Sequence, residues 1–146
     1  MVSRIIVAVA VIAYGLHQLW ESFHVSLYGG YEHLTTLPIT VYATLGDVAY
    51  TIGAYLFIAL LKRDMRWPLS MARTDIAALA FMGMAISLFV EYRALAQMRW
   101  FYLDAMPLIP GLGVGLSPVV QMTMFLPLTF ILVQIVLRRI GRPVVY

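Results

Sequence analysis

The chain contains no cysteine. A disulfide framework and a thiolate site are therefore both excluded. Charge is nearly as scarce, with 12% Asp, Glu, Lys and Arg against 62% hydrophobic residues and a mean hydropathy of +0.88. A water-soluble domain devotes roughly a quarter of its residues to charge in order to cover its core. This chain has too little polar surface for that, and an integral membrane protein needs none in its middle. Internal repeats and a second domain are missing too, so the 146 residues read as one unit.

What is present is a set of four apolar runs, at about 5–24, 41–61, 76–97 and 118–137. Each is about 20 residues, which at 1.5 Å per residue gives about 30 Å, the thickness of a hydrocarbon core. The expected fold is all-α: a four-transmembrane-helix bundle with a Gly/Pro-rich interfacial or re-entrant segment before the last helix. The first run follows Arg4 and could pass for a signal peptide. It lacks a small-x-small cleavage site and continues into Trp20-Glu21, so it reads as a helix.

The net charge of +3 does not point to nucleic acid, because the basic residues gather in short connections instead of along one face. With the N-terminus placed in the cytoplasm, all of the ten Lys and Arg except Arg93 and Arg99 fall inside, from Arg4 through the Lys62–Arg73 connection to Arg138, Arg139 and Arg142. That is the positive-inside pattern, and it predicts both termini cytoplasmic. The inner connection also offers cations to anionic lipid headgroups.

Local signals set the expected boundaries. Thr74 is placed to cap the third helix with Asp75 in its first turn, and Ser117-Pro118 to start the fourth. Pro127 should bend the fourth helix and free a carbonyl one turn earlier, for Thr123 or another helix to satisfy. Gly46, Gly53 and Gly83 are expected to permit close helix packing. Tyr28-Gly29-Gly30-Tyr31 reads as a turn. The stretch Met98–Leu116, aromatic and then broken by Gly and Pro, reads as a lid over the outer end of the bundle. Its Gly111-x-Gly113-x-Gly115 has neither the spacing nor the preceding strand of a nucleotide loop.

The stretch with most chemistry is Tyr14 to His24. At 100° per residue, Tyr14, His17, Glu21 and His24 share an arc of about 80° on a helix. Ionisable groups in a membrane segment are costly and mark sites or pathways by default. Asp47 and Glu91 fall at a similar depth on the second and third helices, with Tyr50 beside Asp47, and Gln121 lies one turn into the fourth. All four helices thus supply a polar group to one outer-leaflet layer. In low polarity a carboxyl can keep its proton near neutral pH, and beside a neutral imidazole it forms an acid–base pair. Glu21, Asp47, Glu91 and His17 are the expected catalytic groups. Tyr14, Trp20, His24, Tyr50, Arg93, Trp100 and Gln121 are the expected ligand-binding groups. Isomerisation, hydration or cyclisation of an isoprenoid- or sterol-like lipid suits such a pocket, with Trp20 and Trp100 to steady a cation.

The element His17-x-x-x-Glu21 with an acid on another helix resembles, in outline, the emopamil-binding type of small membrane isomerases, where carboxylates and a histidine meet inside a bundle. The resemblance covers those few residues, and no activity is carried across from it. No cofactor is expected. A mononuclear metal on His17, Glu21, His24 and Asp47 is an alternative, because their oxygen and nitrogen donors suit zinc or iron. A di-iron site is not, since Glu21-x-x-His24 has no second Glu-x-x-His. The competing readings are a non-catalytic subunit of a larger membrane complex, in which Asp47, Glu91, Arg93 and His17 pair to lock helices, and a small homo-oligomeric proton-linked transporter. Expected partners are membrane lipids and a lipid-like small molecule.

Overall fold

A computed structural model describes residues 1–140. Arg142, counted above among the inner cations, lies outside the described residues. Four helices run Val2–His24 (α1), Ile39–Lys62 (α2), Arg73–Ala96 (α3) and Leu116–Ile140 (α4), each long and apolar enough to cross a membrane. The fold is the expected all-α four-helix bundle. The packing is uneven: α1 lies against α2 and α4, α3 lies against α4, and α2 and α3 scarcely touch.

The end bearing the basic connections, here the basic end, is solid. Ile5 and Val9 of α1, Tyr55 and Ile58 of α2, Leu79 of α3 and Leu126, Phe130 and Val133 of α4 form one buried cluster. Trp67 closes it from below, in a single 3₁₀ turn over Trp67–Ser70 between α2 and α3. Its ring lies 4.9 Å from that of Phe130 and 6.2 Å from that of Tyr55. Its Nε1 donates to the Tyr55 carbonyl at 3.2 Å, and the Tyr55 hydroxyl donates to the Met65 carbonyl at 2.7 Å. The polar atoms carried into this core by the two large rings are thus paired, as burial demands.

Several boundaries differ from expectation. Thr74 lies inside α3 rather than capping it; the capping contact comes from Asp75, whose carboxylate accepts from the Ala72 backbone N–H at 2.9 Å and from Lys62 Nζ at 2.7 Å. Helix α4 begins at Leu116, which puts Pro118 within its first turn. Pro127 is accommodated inside α4, but the Thr123 hydroxyl finds no partner among the described residues. Of the three glycines, only Gly83 gives a close approach: a Cβ there would collide with the backbone carbonyl of Met122 on α4. At Gly46 and Gly53 a Cβ would meet nothing within 4 Å, because α2 has no helix packed on that side.

At the opposite end the two connections pair with each other. Tyr28–Gly29 (β1) runs antiparallel to Phe101–Tyr102 (β2), so the expected turn at Tyr28 is instead a short strand followed by Gly30 at φ 78°. Beyond β2 the chain folds back on itself through Ile109 and Val114. The Tyr92 hydroxyl donates to the Leu112 carbonyl at 3.0 Å, tying this Gly/Pro-rich hairpin about one turn inside the end of α3.

Candidate functional site

The site sits where the bundle is not filled. On α1 the buried positions are Ile5, Val9, Ala13, His17, Glu21 and His24, a stripe that begins in the apolar core and ends on ionisable groups. Most steps are four residues, which overshoot a full turn by about 40°, so the stripe slants around the helix. At the level of Tyr14 the inward position belongs to Ala13. Tyr14 is therefore exposed on the outer face and does not line the site, contrary to the expected arc.

The stripe on α3 runs Leu79, Gly83, Ser87 and Glu91. Arg93 lies two residues further, about 200° around the helix, and is exposed away from the site instead of lining it. It pairs with none of Asp47, Glu91 or His17 among the described residues; of the four side chains expected to pair with one another, His17 and Asp47 do so, at 3.1 Å.

Between the cavity-end halves of the four helices lies a cavity of about 530 Å³. Its polar lining includes Glu21 and His24 of α1, Asp47 and Tyr50 of α2, Ser87 and Glu91 of α3, and Gln121 of α4. Trp100 and Arg99 reach it from the connection before β2. Most other lining side chains are apolar, such as Leu34, Ile39, Ile86, Val90 and Met122. The volume falls within the range of small-molecule sites, and an apolar wall with a few convergent polar groups is their usual make-up.

Two hydrogen-bonded knots hold the acids. In the first, Gln121 Nε2 lies 2.9 Å from Asp47 Oδ2, 3.0 Å from Glu21 Oε1 and 3.0 Å from His17 Nδ1. An amide nitrogen has two hydrogens, which suffice for the two carboxylates and not for the imidazole as well. His17 Nδ1 is itself 3.1 Å from Asp47 Oδ2, so the arrangement closes when His17 carries its proton on Nδ1 and donates it to Asp47. His17 Nε2 is then a bare lone pair, buried beside the Phe125 ring without a partner among the described residues. His17 thus touches the site from behind Asp47 and does not line the cavity.

In the second knot, Glu91 Oε2 accepts from the Tyr102 hydroxyl at 2.5 Å and from Trp100 Nε1 at 3.3 Å. Burial, and next the hydrogen bond to Glu91, push the Tyr102 phenol above its ordinary range, so it remains a donor. Burial and the nearby Glu91 charge do the same at Tyr28, whose ring stands 6.0 Å from Trp100 and 5.6 Å from Tyr102. Tyr28 and Trp100 roof the cavity, with Tyr102 packed behind them. Arg99 fastens the roof to α2, donating from Nη2 to the Tyr42 hydroxyl at 3.0 Å with its guanidinium 5.4 Å from the Trp100 ring.

His24 belongs to neither knot. The residue is 7% exposed and lines the cavity, and both its ring nitrogens lack a hydrogen-bond partner among the described residues. Glu21 Oε2 stands 3.6 Å from Nδ1, too far to count as one. Trp20, expected to bind ligand, instead packs edge-on against Phe125 and does not line the cavity.

Of the alternative metal set, His17, Glu21 and Asp47 gather around the Gln121 amide nitrogen and His24 stands apart. Among the described residues no three His, Asp or Glu side chains are placed to hold an ion. The Gln121 amide nitrogen occupies the centre between His17, Glu21 and Asp47, presenting hydrogens where an ion would need lone pairs.

Four contributors were missed from the sequence: Tyr28, Tyr42, Arg99 and Tyr102. Tyr42 had a usable signal, because Ile39, Tyr42, Ala43, Gly46, Asp47 and Tyr50 line the cavity at helical spacing and Asp47 marks the face. Tyr28 and Tyr102 are set by the pairing of β1 with β2, which two-residue strands do not announce. Compared with family models, with curated proteins and with solved structures, the chain matches none of them.

Proposed function

We propose that the cavity binds a lipid-like small molecule and moves a proton on it. The observation that carries this reading is the meeting of Glu21, Asp47 and Glu91, from three separate helices, around one largely apolar cavity that also holds the unpartnered ring of His24. A protonated carboxyl delivers its proton to a carbon–carbon double bond, and a neighbouring carboxylate or His24 removes a proton from the adjacent carbon. The double bond shifts and the proton count is unchanged, as in general acid–base catalysis. Addition of water or ring closure shares the first step. Trp100, Tyr28 and Tyr42 line the same space with aromatic faces suited to a transient cation. The charge pattern orients the bundle with both termini cytoplasmic and the cavity toward the outer leaflet.

Glu91→Gln tests this, because glutamine keeps an acceptor for Tyr102 and Trp100 while removing the titratable group. The variant should stay folded in detergent and lose ligand binding or turnover on lipid extracted with the purified protein. Unchanged binding and turnover would overturn the proposal.

A second reading is favoured by the two knots, which already hold the acids. In it the chain is a non-catalytic subunit of a membrane assembly and the polar layer only holds helices together. It expects Glu91→Gln to lower thermal stability, and the purified chain to carry a protein partner and no bound lipid.

A further inference from the structure

The cavity is not closed toward the membrane. Where α2 and α3 part, a groove of about 310 Å³ runs along the bundle, lined by Ala49, Tyr50, Gly53, Ala54 and Phe57 of α2 and by Met82 and Ile86 of α3. Tyr50 and Ile86 line both spaces, so the groove adjoins the cavity and the two mark out a path along α2. From Asp47 to Phe57 that path follows α2 for about 15 Å. Among the described residues, Tyr50 is the only polar side chain lining the groove. Over Gly53 the groove is open, with no described residue within 4 Å of an added Cβ, in contrast to the tight contact at Gly83.

Resting on the reading of the cavity as a ligand site, we propose that its ligand is a single-chain amphiphile of the long-chain alcohol class. The molecule enters sideways from the bilayer between α2 and α3. Its hydroxyl head lies among Glu21, Asp47, Glu91 and His24, and its tail lies along Gly53 toward Phe57. One groove with one polar terminus matches one tail and one head. The chemistry of the head follows from the wall: three carboxylates and an unpartnered imidazole receive a hydrogen-bond donor. A phosphate or carboxylate head would face like charge, and Arg99, the cation lining the cavity, is already engaged with Tyr42 and Trp100. The tail leaves on the side where it loses no contact with lipid-like surroundings.

The test uses the full chain in lipid nanodiscs, photolabelled with a diazirine-bearing octanol short enough to occupy the cavity alone. Unlabelled hexadecanol should suppress labelling of cavity residues at a mole fraction in the nanodisc lipid below that required of octanol, because its added methylenes pack against the groove wall. Gly53→Phe should abolish that advantage and leave competition by octanol unchanged. Ala49→Phe, another exposed groove position, should do the same and guards against a fault peculiar to one variant. A chain-length advantage that survives both substitutions overturns the tail path while leaving the cavity as a site. Failure of octanol to label the cavity at all overturns the site reading itself. Palmitate competing as well as hexadecanol overturns the alcohol assignment. A dimer of the wild-type chain that separates in Gly53→Phe shows that a second copy covers the groove, which also overturns the proposal.

Discussion

The two ends of this bundle are built from the same four helices and solve opposite problems. At the basic end, Tyr55, Trp67 and Phe130 interlock and both large polar rings are paired to backbone carbonyls. At the other end, the same helices leave a cavity of about 530 Å³ whose wall holds three acids and an imidazole without a partner. In lipid there is no hydrophobic drive between helices, so tight packing must supply the cohesion. Concentrating that packing at one end lets the other carry unsatisfied polar groups at a cost the fold can bear. Separate roles of this kind are expected where a site requires strained or poorly paired groups.

The largest effect should come from attacking the packed end. Trp67→Ala removes a ring that is 1% exposed together with its hydrogen bond to Tyr55, and should cost about 3 kcal/mol or more in unfolding by detergent or heat. Ligand binding at the cavity should survive in the fraction that remains folded, because distant sites act independently. Equal loss of binding and stability would break the division between the ends. Gly83→Ala probes the seam, since Leu79 one turn before it is in the core and Ser87 one turn after it lines the cavity. Its new methyl group meets backbone, which cannot rotate away, so α3 and α4 must separate at a cost of about 2–3 kcal/mol. Gln121→Leu comes next, at about 1–2 kcal/mol, because it strips Glu21 and Asp47 of the N–H groups that bridge them. A gain in thermal stability in that variant would show that the knot is held only for function.

The sequence makes the division itself partly visible. Four apolar runs of membrane length, the stripe His17, Glu21 and His24, and single polar residues Asp47, Glu91 and Gln121 at matched depth all follow from helical periodicity and hydropathy. Those six side chains do converge in space. What periodicity misses is rotation: a stripe that slants by 40° every four residues carries Ala13 inward and Tyr14 outward, and a single residue separates Glu91 from an exposed Arg93. It also misses anything set by pairing between distant loops. Tyr102 reaches Glu91 only because β2 lies against β1, and two-residue strands leave no pattern to read. Trp67 was hidden in another way. The Lys62–Arg73 stretch is dominated by cations and reads as a topology signal, yet its Trp67-Pro68 pair turns inward to close the core.

The smallest effect should lie at that same basic connection. Lys62 Nζ meets both carboxylate oxygens of Asp75 at 2.7 Å and ties the end of α2 to the start of α3, the two helices that otherwise scarcely touch. The lysine side chain is 37% exposed, so solvent screens the pair and its loss should cost less than about 1 kcal/mol. Asp75 keeps its bond from the Ala72 N–H in Lys62→Ala, which limits the damage further. The measurement worth making is the melting temperature of Lys62→Ala at low and at high salt. A small deficit that vanishes with salt matches a screened clip at an end already held by packing. A large, salt-insensitive loss would mean that this one pair, and not the Trp67 cluster, keeps α2 and α3 in register across the open groove.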